Sequence, residues 1–433
     1  MCINRVQVQK GGKTVVFVFI LDNLKKDCGP VVNIAMSLAV RIREKGHKVF
    51  AVSRKNHVSE LFDDYKNKFD GTFIVEDNYA SELDLFKEKT GWDELGVLQK
   101  ITCYLTNISI LPAWFDWRFC HAMGQTKRLY TSMIEKTDGE IRPDVMISFM
   151  MPHWTEECLY KARIRSKRCL FQMDPYVHYE FTEREESLRR QSEEEMIAES
   201  ADSVFVPPQI YREMQEDKFS IDWKKVKVYR FPGIRTGVST DPETEKSNKE
   251  DIDIYFVGNF YEGIRNPMYT LSLFAKLPER FILHIVGKGA EEIVSGFKVK
   301  MGDRLVLHGV VPVEEAYRFM DKADILLNVG NTTDNQVPSK LIDYINTGRP
   351  IINICKIKSC PTLDYMNRYP LGFTLFEKED VSETELKELV DFAGHNAGRR
   401  VKREDILRIY HDCTDEYVAD QIIDSFSGLQ KQE

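Results

Sequence analysis

One polar stretch in the second half of the chain carries residues that could hold a phosphate group. Residues 324–352 read DILLNVGNTTDNQVPSKLIDYINTGRPII, so a buried strand leads through a polar loop into a short helix. Ser339 is a candidate N-cap for that helix, which spans 340–347 before Gly348 and Pro350 end it. A helix N-terminus exposes unpaired N–H groups and carries roughly half a positive charge, which favours phosphate.

Two charged side chains on the first turn of this helix extend the same chemistry. Lys340 places a full positive charge beside the helix start, and Asp343 lies one turn in. A carboxylate at that place can accept two hydrogen bonds from a ribose diol, each worth about 1.5 to 3 kcal/mol. Together these features predict a site for a nucleoside diphosphate. The alternative is a capped surface helix whose two charged side chains face solvent.

The elements around this helix predict two α/β halves. The run at 14–21 (TVVFVFIL) is typical of a strand buried on both faces, and helical spacing follows up to Lys45, with Gly46 as the expected left-handed C-cap. Further strands are predicted at 49–53, 144–150, 169–173, 203–206, 254–258, 281–287, 305–309, 325–329 and 350–355. This alternation predicts an α/β fold with two Rossmann-like domains facing a cleft.

Changes in composition give the expected domain boundaries. Between 231 and 254 the chain is rich in Pro, Gly, Ser and Thr and has no apolar period, which favours an interdomain linker. We therefore expect an N-terminal domain over 1–234 and a C-terminal domain over 250–404. The last segment, 405–433, carries apolar residues at helical spacing and is predicted to form helices that pack back on the domains.

Composition disfavours several classes of protein. With 433 residues and 42% hydrophobic content, the chain can bury about two to three domain cores. A net charge of −8 offers no basic field, so no nucleic-acid partner is expected. Nine cysteines without a CxxC pair are typical of reduced thiols in a cytoplasm. The apolar run at 15–21 is too short to span a bilayer, so a cytoplasmic protein is expected.

Motifs of two other classes of site are incomplete or misplaced. A dinucleotide fingerprint needs three glycines after the first strand, but the first turn offers Gly29 alone. The later Gly287 and Gly289 are followed by Glu292 where the third glycine belongs, which disfavours a dehydrogenase. Residues 251–253 (DID) resemble a DxD metal motif, but they open a strand, whereas ligands gather at strand carboxyl ends. We expect no metal.

The second half resembles the C-terminal domain of the GT-B retaining glycosyltransferases of the group 1 or family 4 type. The resemblance rests on VGNFYEGIRNP, IVGKG, LVLHGVVPVEEAYRFMDKADILLN and NTGRPII, which follow the family's order and spacing between residues 257 and 352. It implies the GT-B fold and a nucleotide diphosphate sugar as donor substrate, with no further cofactor. It also implies transfer without a metal and with retention of anomeric configuration.

The resemblance implies roles for individual residues. In that family the second Glu of an E-x7-E pattern binds the ribose, and Asp343 stands at its place. Asn335 stands where the first Glu contacts the donor sugar, which leaves the identity of the sugar open. A basic pair after the first strand of this half neutralises the diphosphate. Asn259 replaces its first member, and Arg265 lies about where the second should be, although an exposed helix-start arginine is the alternative.

Glycines and one histidine complete the implied site. Gly258 and Gly287 end two strands of the second half, and the Gly29 loop is implied to approach the donor diphosphate from the first half. His153 lies near the place where such families often carry a histidine that orients the transferred sugar, although a surface or core histidine is the alternative. The predicted catalytic residues are Arg265, Lys340, Asn335 and His153, and the predicted substrate-binding residues are Gly29, Gly258, Asn259, Gly287, Ser339 and Asp343.

The implied activity is transfer of a hexose-type sugar to a glycan or lipid-linked acceptor in surface polysaccharide or glycoconjugate synthesis, with the acceptor on the N-terminal domain. The aromatic stretch at 96–121, with basic residues at 161–168, would suit peripheral contact with an anionic membrane at its inner face. The simpler alternative is that these aromatics are core. Two other functions stay open, a catalytically silent accessory subunit and a sugar-nucleotide epimerase, for which no carboxylate acid/base pair is identified.

Overall fold

The computed structural model describes residues 14–24, 29–55, 65–76, 112–150, 153–178, 184–236 and 250–427. These residues form two compact units. The first unit consists of two segments, the chain up to Arg230 and the residues from Asp415 onward. The second unit runs from Phe231 to Thr414. Each unit is built on one parallel β-sheet.

The described part of the first unit contains a seven-stranded sheet in the order β3-β2-β1-β4-β5-β6-β7. Its strands are β1 (Val16–Asn23), β2 (Lys48–Lys55), β3 (Gly71–Glu76), β4 (Val145–Phe149), β5 (Lys167–Phe171), β6 (Ser203–Val206) and β7 (Val226–Val228). Its first helices are α1 (Gly29–Glu44), α2 (Tyr65–Lys68), α3 (Pro112–Ile141), α4 (Trp154–Lys161), α5 (Arg184–Ser200) and α6 (Pro208–Glu216). The strand order reverses between β1 and β4, where open α/β sheets bind ligands.

Burial explains why β1 forms at the centre of this sheet. Five consecutive residues of β1, Phe17–Leu21 in VFVFILDN, are buried because both faces of the strand are covered. The helix that follows, α1, ends where Gly46 adopts φ +88°, and the His47 N–H donates to the Ile42 carbonyl oxygen across the turn. The predicted left-handed C-cap at Gly46 is confirmed.

The second unit repeats the architecture with a six-stranded sheet in the order β10-β9-β8-β11-β12-β13. Its strands are β8 (Ile252–Val257), β9 (Phe281–Val286), β10 (Leu305–Gly309), β11 (Ile325–Val329), β12 (Ile351–Cys355) and β13 (Gly372–Phe376). Its helices are α7 (Met268–Lys276), α8 (Glu291–Met301), α9 (Val313–Lys322), α10 (Lys340–Thr347), α11 (Leu363–Met366), α12 (Glu383–Asn396) and α13 (Arg403–Ile409).

Two apolar clusters cover the two faces of this second sheet. One cluster contains Ile254 and Phe256 of β8, and the other contains Tyr255 and Val257 of the same strand. Successive side chains of a strand point to opposite faces, so both faces of β8 are packed. Because all six strands are parallel, the loops after β8, β9, β11 and β12 share one carboxyl edge.

The predicted α/β fold with two Rossmann-like domains is confirmed, but the compact units divide at other residues than 1–234, 250–404 and 405–433. Ile234 is buried and pairs with Thr414, so the second unit begins before it. The terminal segment is shared between the units. Helix α13 packs against α10 of the second unit, whereas α14 (Asp415–Phe426) packs along α1 of the first, where Asp415 accepts hydrogen bonds from the Ser37 and Arg41 side chains.

Among the helices that the structure describes, none combines the length and the apolar character that a membrane crossing needs. Of the aromatic stretch at 96–121, residues 96–111 lie outside the described residues. For residues 112–121, at the start of α3, only the backbone is described. Its predicted membrane contact therefore stays a prediction.

Candidate functional site

Glycines bring two loops into backbone contact at the carboxyl edge of the second sheet. Gly258 follows β8 with φ +153°, and Gly287 follows β9 with φ +145°. A Cβ on Gly287 would lie 1.8 Å from the Gly258 carbonyl oxygen, and one on Gly289 would lie 2.0 Å from that of Phe260. The Asn259 side chain adds a hydrogen bond, since its Oδ1 accepts from the Lys288 N–H at 3.2 Å. The two loops can pack this closely only without side chains at these glycines.

Arg265 lies half-buried in the loop between β8 and α7. Its Nε and Nη2 donate to Asn331 Oδ1 at 3.1 and 2.8 Å, and its Nη1 donates to the Asn259 carbonyl oxygen at 3.3 Å. Its guanidinium carbon is 6.0 Å from the centre of the Tyr261 ring. Burial lowers the pKa of Arg265, and no carboxylate of the described residues forms an ion pair with it. Among the described residues, only neutral groups contact the guanidinium, so its positive charge suits an anion.

The loop after β11 holds Arg265 in place. Asn331, which accepts from the guanidinium, is only 2% exposed, and the next residue, Thr332, donates its N–H to the Ile264 carbonyl oxygen at 2.8 Å. Asn335 lies further along the same loop, where it is buried and has an interaction partner. The loops after β8 and β11 thus form one joined structure around the arginine.

Helix α10 is fixed against the end of β8 by a buried tyrosine. Tyr344 Oη accepts a hydrogen bond from the Val257 N–H at 2.8 Å and donates one to the Val257 carbonyl oxygen at 3.0 Å. The helix spans the predicted residues and ends at Gly348, which has φ +74°. The N-cap prediction for Ser339 is wrong, because Ser339 already has helical φ −57° and ψ −30° and its side chain makes no capping bond.

Lys340 and Asp343 lie on the first turn of α10 with two residues from elsewhere in the second unit. Lys340 Nζ is 3.1 Å from Asp343 Oδ2, and Tyr317 Oη donates to Asp343 Oδ1 at 3.2 Å. Arg235 Nη2 donates to Tyr317 Oη at 3.0 Å, and both cations lie over the Tyr317 ring, 5.3 and 5.5 Å from its centre. Each Asp343 oxygen has one partner among the described residues and can accept a further hydrogen bond. The Asp343 side chain is 22% exposed, so it is within reach of a ligand.

The predicted residues of the second unit therefore gather at one edge, whereas those of the first unit lie in a separate body. Gly29 is the first residue of α1, and His153 lies between β4 and α4, immediately before α4. Asp253 of the DID motif lies near the amino end of β8, where its Oδ1 is 3.1 Å from His284 Nε2. The DID motif lies at the end of β8 opposite to Gly258, so it is not among the residues gathered at the carboxyl edge.

Several residues at the carboxyl edge of the second sheet were not predicted from the sequence: Arg235, Gly289, Tyr317, Asn331 and Tyr344. Only Gly289 had a usable signal, because the pattern GKG follows a predicted strand. The others act through contacts between segments that are distant in sequence, which no local spacing reveals.

A buried acid in the first unit predicts how stability depends on pH. Glu194 of α5 is 4% exposed, and burial raises its pKa from 4.5 to about 8, while Gln172 Nε2 donates to it at 2.7 Å. In the unfolded chain the carboxyl ionises near its usual pKa, but in the folded chain it keeps its proton up to about pH 8. The free energy of unfolding should therefore fall by a few kcal/mol as the pH rises from about 4.5 to about 8.

The Glu194→Gln variant should lose much of that pH dependence, because its amide does not titrate. Denaturant unfolding at pH 5 and pH 8 measures the difference, and Glu185→Gln, at an exposed place of the same helix, is the matched control. An unchanged difference between the two pH values in Glu194→Gln would contradict the assignment.

Comparison with known proteins identifies the fold. No protein-family model matches the chain, and no curated protein matches its sequence. The lipopolysaccharide outer core galactosyltransferase WaaB, in its apo form, is 13% identical with a TM-score of 0.58, over 96% of this chain and 100% of that chain. HepE from Anabaena, in complex with UDP, is 10% identical with a TM-score of 0.59, over 96% and 100%.

A glycosyltransferase from Rickettsia africae is 11% identical with a TM-score of 0.60, over 97% of this chain and 100% of that chain. These likenesses span nearly the whole chain, at identities where only the fold can be compared. They agree with the two parallel sheets and with the motifs between 257 and 352. The chain therefore has the fold of the GT-B glycosyltransferases.

Proposed function

We propose that the chain is a glycosyltransferase that moves a hexose-type sugar from a nucleoside diphosphate donor to a glycan or lipid-linked acceptor. The observation that carries this proposal is Arg265, a half-buried guanidinium without a carboxylate partner among the described residues, at the carboxyl edge of the second sheet. Two of the similar structures support it by their own ligand or activity, since HepE was crystallised with UDP and WaaB is a galactosyltransferase of lipopolysaccharide.

The donor would be held by its diphosphate and its ribose. Arg265 and Lys340 supply positive charge for the phosphate oxygens, and the N–H groups at the start of α10 add a partial charge of the same sign. The loops that begin at Gly258 and Gly287 would allow backbone to approach the ligand. Asp343 keeps acceptor positions on both oxygens for the two ribose hydroxyls.

The same residues would stabilise the transition state of transfer. As the bond between the sugar and the diphosphate breaks, negative charge grows on the departing phosphate and the anomeric carbon becomes oxocarbenium-like. Arg265 and Lys340 are fixed before the reaction by Asn331 and Asp343, so they need little reorganisation to meet that charge. We propose retention of configuration and no metal requirement on the family resemblance, with the leaving phosphate accepting the acceptor's proton.

Asn335 would contact the transferred sugar from the loop after β11. An amide both donates and accepts hydrogen bonds but carries no charge, so it would orient sugar hydroxyls without stabilising positive charge as a carboxylate does. For the acceptor we propose the N-terminal domain, in the cytoplasm, with the stretch at 96–121 at the inner membrane face. A lipid-linked acceptor would be reached from there.

A catalytically silent accessory subunit is the second candidate. It is favoured by two positions, Asn335 and Asn259, where the family carries an acid and a base. Asn259 uses its side chain to accept from the Lys288 N–H and so contributes to loop packing. Such a subunit would bind a nucleotide weakly or not at all and would release none from a nucleotide sugar.

Turnover of nucleotide sugars tests the proposal and the ribose contact together. Release of nucleoside diphosphate from uridine, guanosine and adenosine diphosphate sugars should be detectable for at least one donor. Asp343→Ala should lower kcat/KM for that donor by about 10- to 100-fold, mainly through KM, because hydrogen bonds to a charged group are lost. Asp303→Ala, at an exposed turn before β10, is the matched control. No release from any donor by the wild-type chain would favour the silent subunit.

A further inference from the structure

His153 is held in a stack at the carboxyl edge of the first sheet. Its ring lies parallel to the Tyr176 ring, with centres 3.5 Å apart and planes 4° apart. The Arg190 guanidinium carbon lies 5.3 Å from the centre of the Tyr176 ring, and Tyr176 Oη donates to Glu193 at 2.8 Å. The plane of the imidazole is therefore fixed by its neighbours, and the histidine side chain is 14% exposed.

One nitrogen of that imidazole faces a buried acid. His153 Nε2 is buried and lies 3.7 Å from Glu156 Oε2, one turn along α4. Glu156 is fully buried, and no described residue hydrogen-bonds either of its carboxylate oxygens. A buried polar group without a partner costs free energy, on the order of 1 to 3 kcal/mol. The fold therefore keeps an unfavourable acid at this place, next to a histidine nitrogen that also has no partner among the described residues.

Burial favours the uncharged form of both groups. Burial raises the pKa of Glu156 well above its usual value. Burial lowers the pKa of His153 to about 4; Glu193 and Glu157 oppose this shift, and Lys127 and Arg190 reinforce it. A protonated carboxyl is a donor and a neutral imidazole nitrogen is an acceptor, so the two neutral forms are complementary.

We propose that Glu156 is a positioning residue that donates its proton to a hydrogen bond with His153 Nε2, and so keeps the histidine proton on Nδ1. The gap of 3.7 Å is longer than a hydrogen bond, and such contacts often tighten when substrate binds. Nδ1 is then the one ring nitrogen that can act as a donor toward a ligand. A sugar hydroxyl oxygen at the carboxyl edge of this sheet is the acceptor that fits it.

This inference rests on the proposed function for the identity of the ligand, but the tautomer can be measured without it. In ¹⁵N-histidine-labelled protein, the protonated ring nitrogen differs from the bare one in chemical shift, and the His153→Ala variant assigns the signal. Wild type should show the proton on Nδ1, and Glu156→Gln should keep it there because the amide can still donate to Nε2. Glu156→Leu should shift the population toward the Nε2–H form, which an unconstrained imidazole favours.

The matched control for the tautomer measurement is Glu157→Gln, on the same helix but paired with Lys127 and Lys161. A proton on Nε2 in wild type, or no response to Glu156→Leu, would overturn the proposal.

Stability and turnover separate this role from a structural one. The contact of 3.7 Å between Glu156 and His153 is too long to contribute much stability, so exchanging the buried carboxyl for an apolar side chain in Glu156→Leu should leave the free energy of unfolding nearly unchanged. Glu156→Leu should nonetheless lower kcat by about tenfold or more, with donor KM nearly unchanged, as expected when a histidine loses its tautomer.

The double variant tests whether Glu156 acts through His153. In the His153→Ala background, Glu156→Leu should have no further effect on turnover. An equal loss in both backgrounds would overturn the role in turnover. If wild type turns over no nucleotide sugar, the proposed function fails, while the tautomer still decides the role of Glu156.

Discussion

Arg265→Ala should lower kcat/KM for nucleotide-sugar turnover by about 10²- to 10³-fold. The guanidinium is the one half-buried cation at this edge whose described contacts are all neutral, so its charge is available to the diphosphate. Arg265→Lys should recover part of the loss, since an ammonium keeps the charge but cannot reproduce the planar two-pronged geometry. Steady-state release of the nucleoside diphosphate measures all three proteins.

The matched control for this prediction is Arg280→Ala. Arg280 is an exposed arginine of the same unit, stacked on Phe281 at the amino end of β9, and its removal should leave turnover unchanged. Circular dichroism should show that Arg265→Ala is folded, although Asn331 loses its donor. Near-normal turnover in Arg265→Ala would show that Arg265 does not bind the diphosphate.

Gly287→Ala should destabilise the chain by about 3 kcal/mol or more, the second large effect expected. The added Cβ would lie 1.8 Å from the Gly258 carbonyl oxygen, and the backbone is at φ +145°, a conformation that side chains rarely adopt. Both loops must separate to admit it, so the affinity for nucleotide should fall as well. Denaturant unfolding of the purified variant measures the loss.

Gly296→Ala is the matched control for the glycine prediction. Gly296 lies inside α8, where no atom would come within 4 Å of an added Cβ. The same substitution there should stabilise the chain by up to about 1 kcal/mol, because alanine favours a helix. Equal effects at the two glycines would show that the loops after β8 and β9 leave room for a Cβ at Gly287.

Several strands could be predicted to the residue from the sequence. The strands at 203–206, 305–309 and 325–329 have the predicted bounds. Those at 203–206 and 325–329 are buried throughout, as expected for strands covered on both faces. The strand at 305–309 lies at the sheet edge and is only partly buried. The run predicted at 169–173 forms instead at Lys167–Phe171. Its first two residues are charged, and Lys167 pairs with Asp202 at the strand end, a tertiary contact that hydrophobicity does not encode.

The candidate site could be predicted in part. The sequence placed Gly258, Gly287 and Arg265 at the carboxyl edge, because glycine turns and a basic loop after successive strands are visible in one dimension. It did not show that Asn331 holds the arginine or that Tyr344 fixes α10, since both depend on how separate segments dock. The failed N-cap at Ser339 has the same cause, because the helical geometry there begins one residue earlier than local preference suggests.

We propose that the carboxyl edge of the second sheet binds a nucleoside diphosphate. A thermal-shift titration of the full chain with uridine, guanosine and adenosine diphosphates tests it most directly. At least one of the three should raise stability, by about 2.7 kcal/mol at one hundred times its dissociation constant, and Arg265→Ala should lose that response. A wild-type chain that responds to none of the three, at millimolar concentration, would contradict the claim.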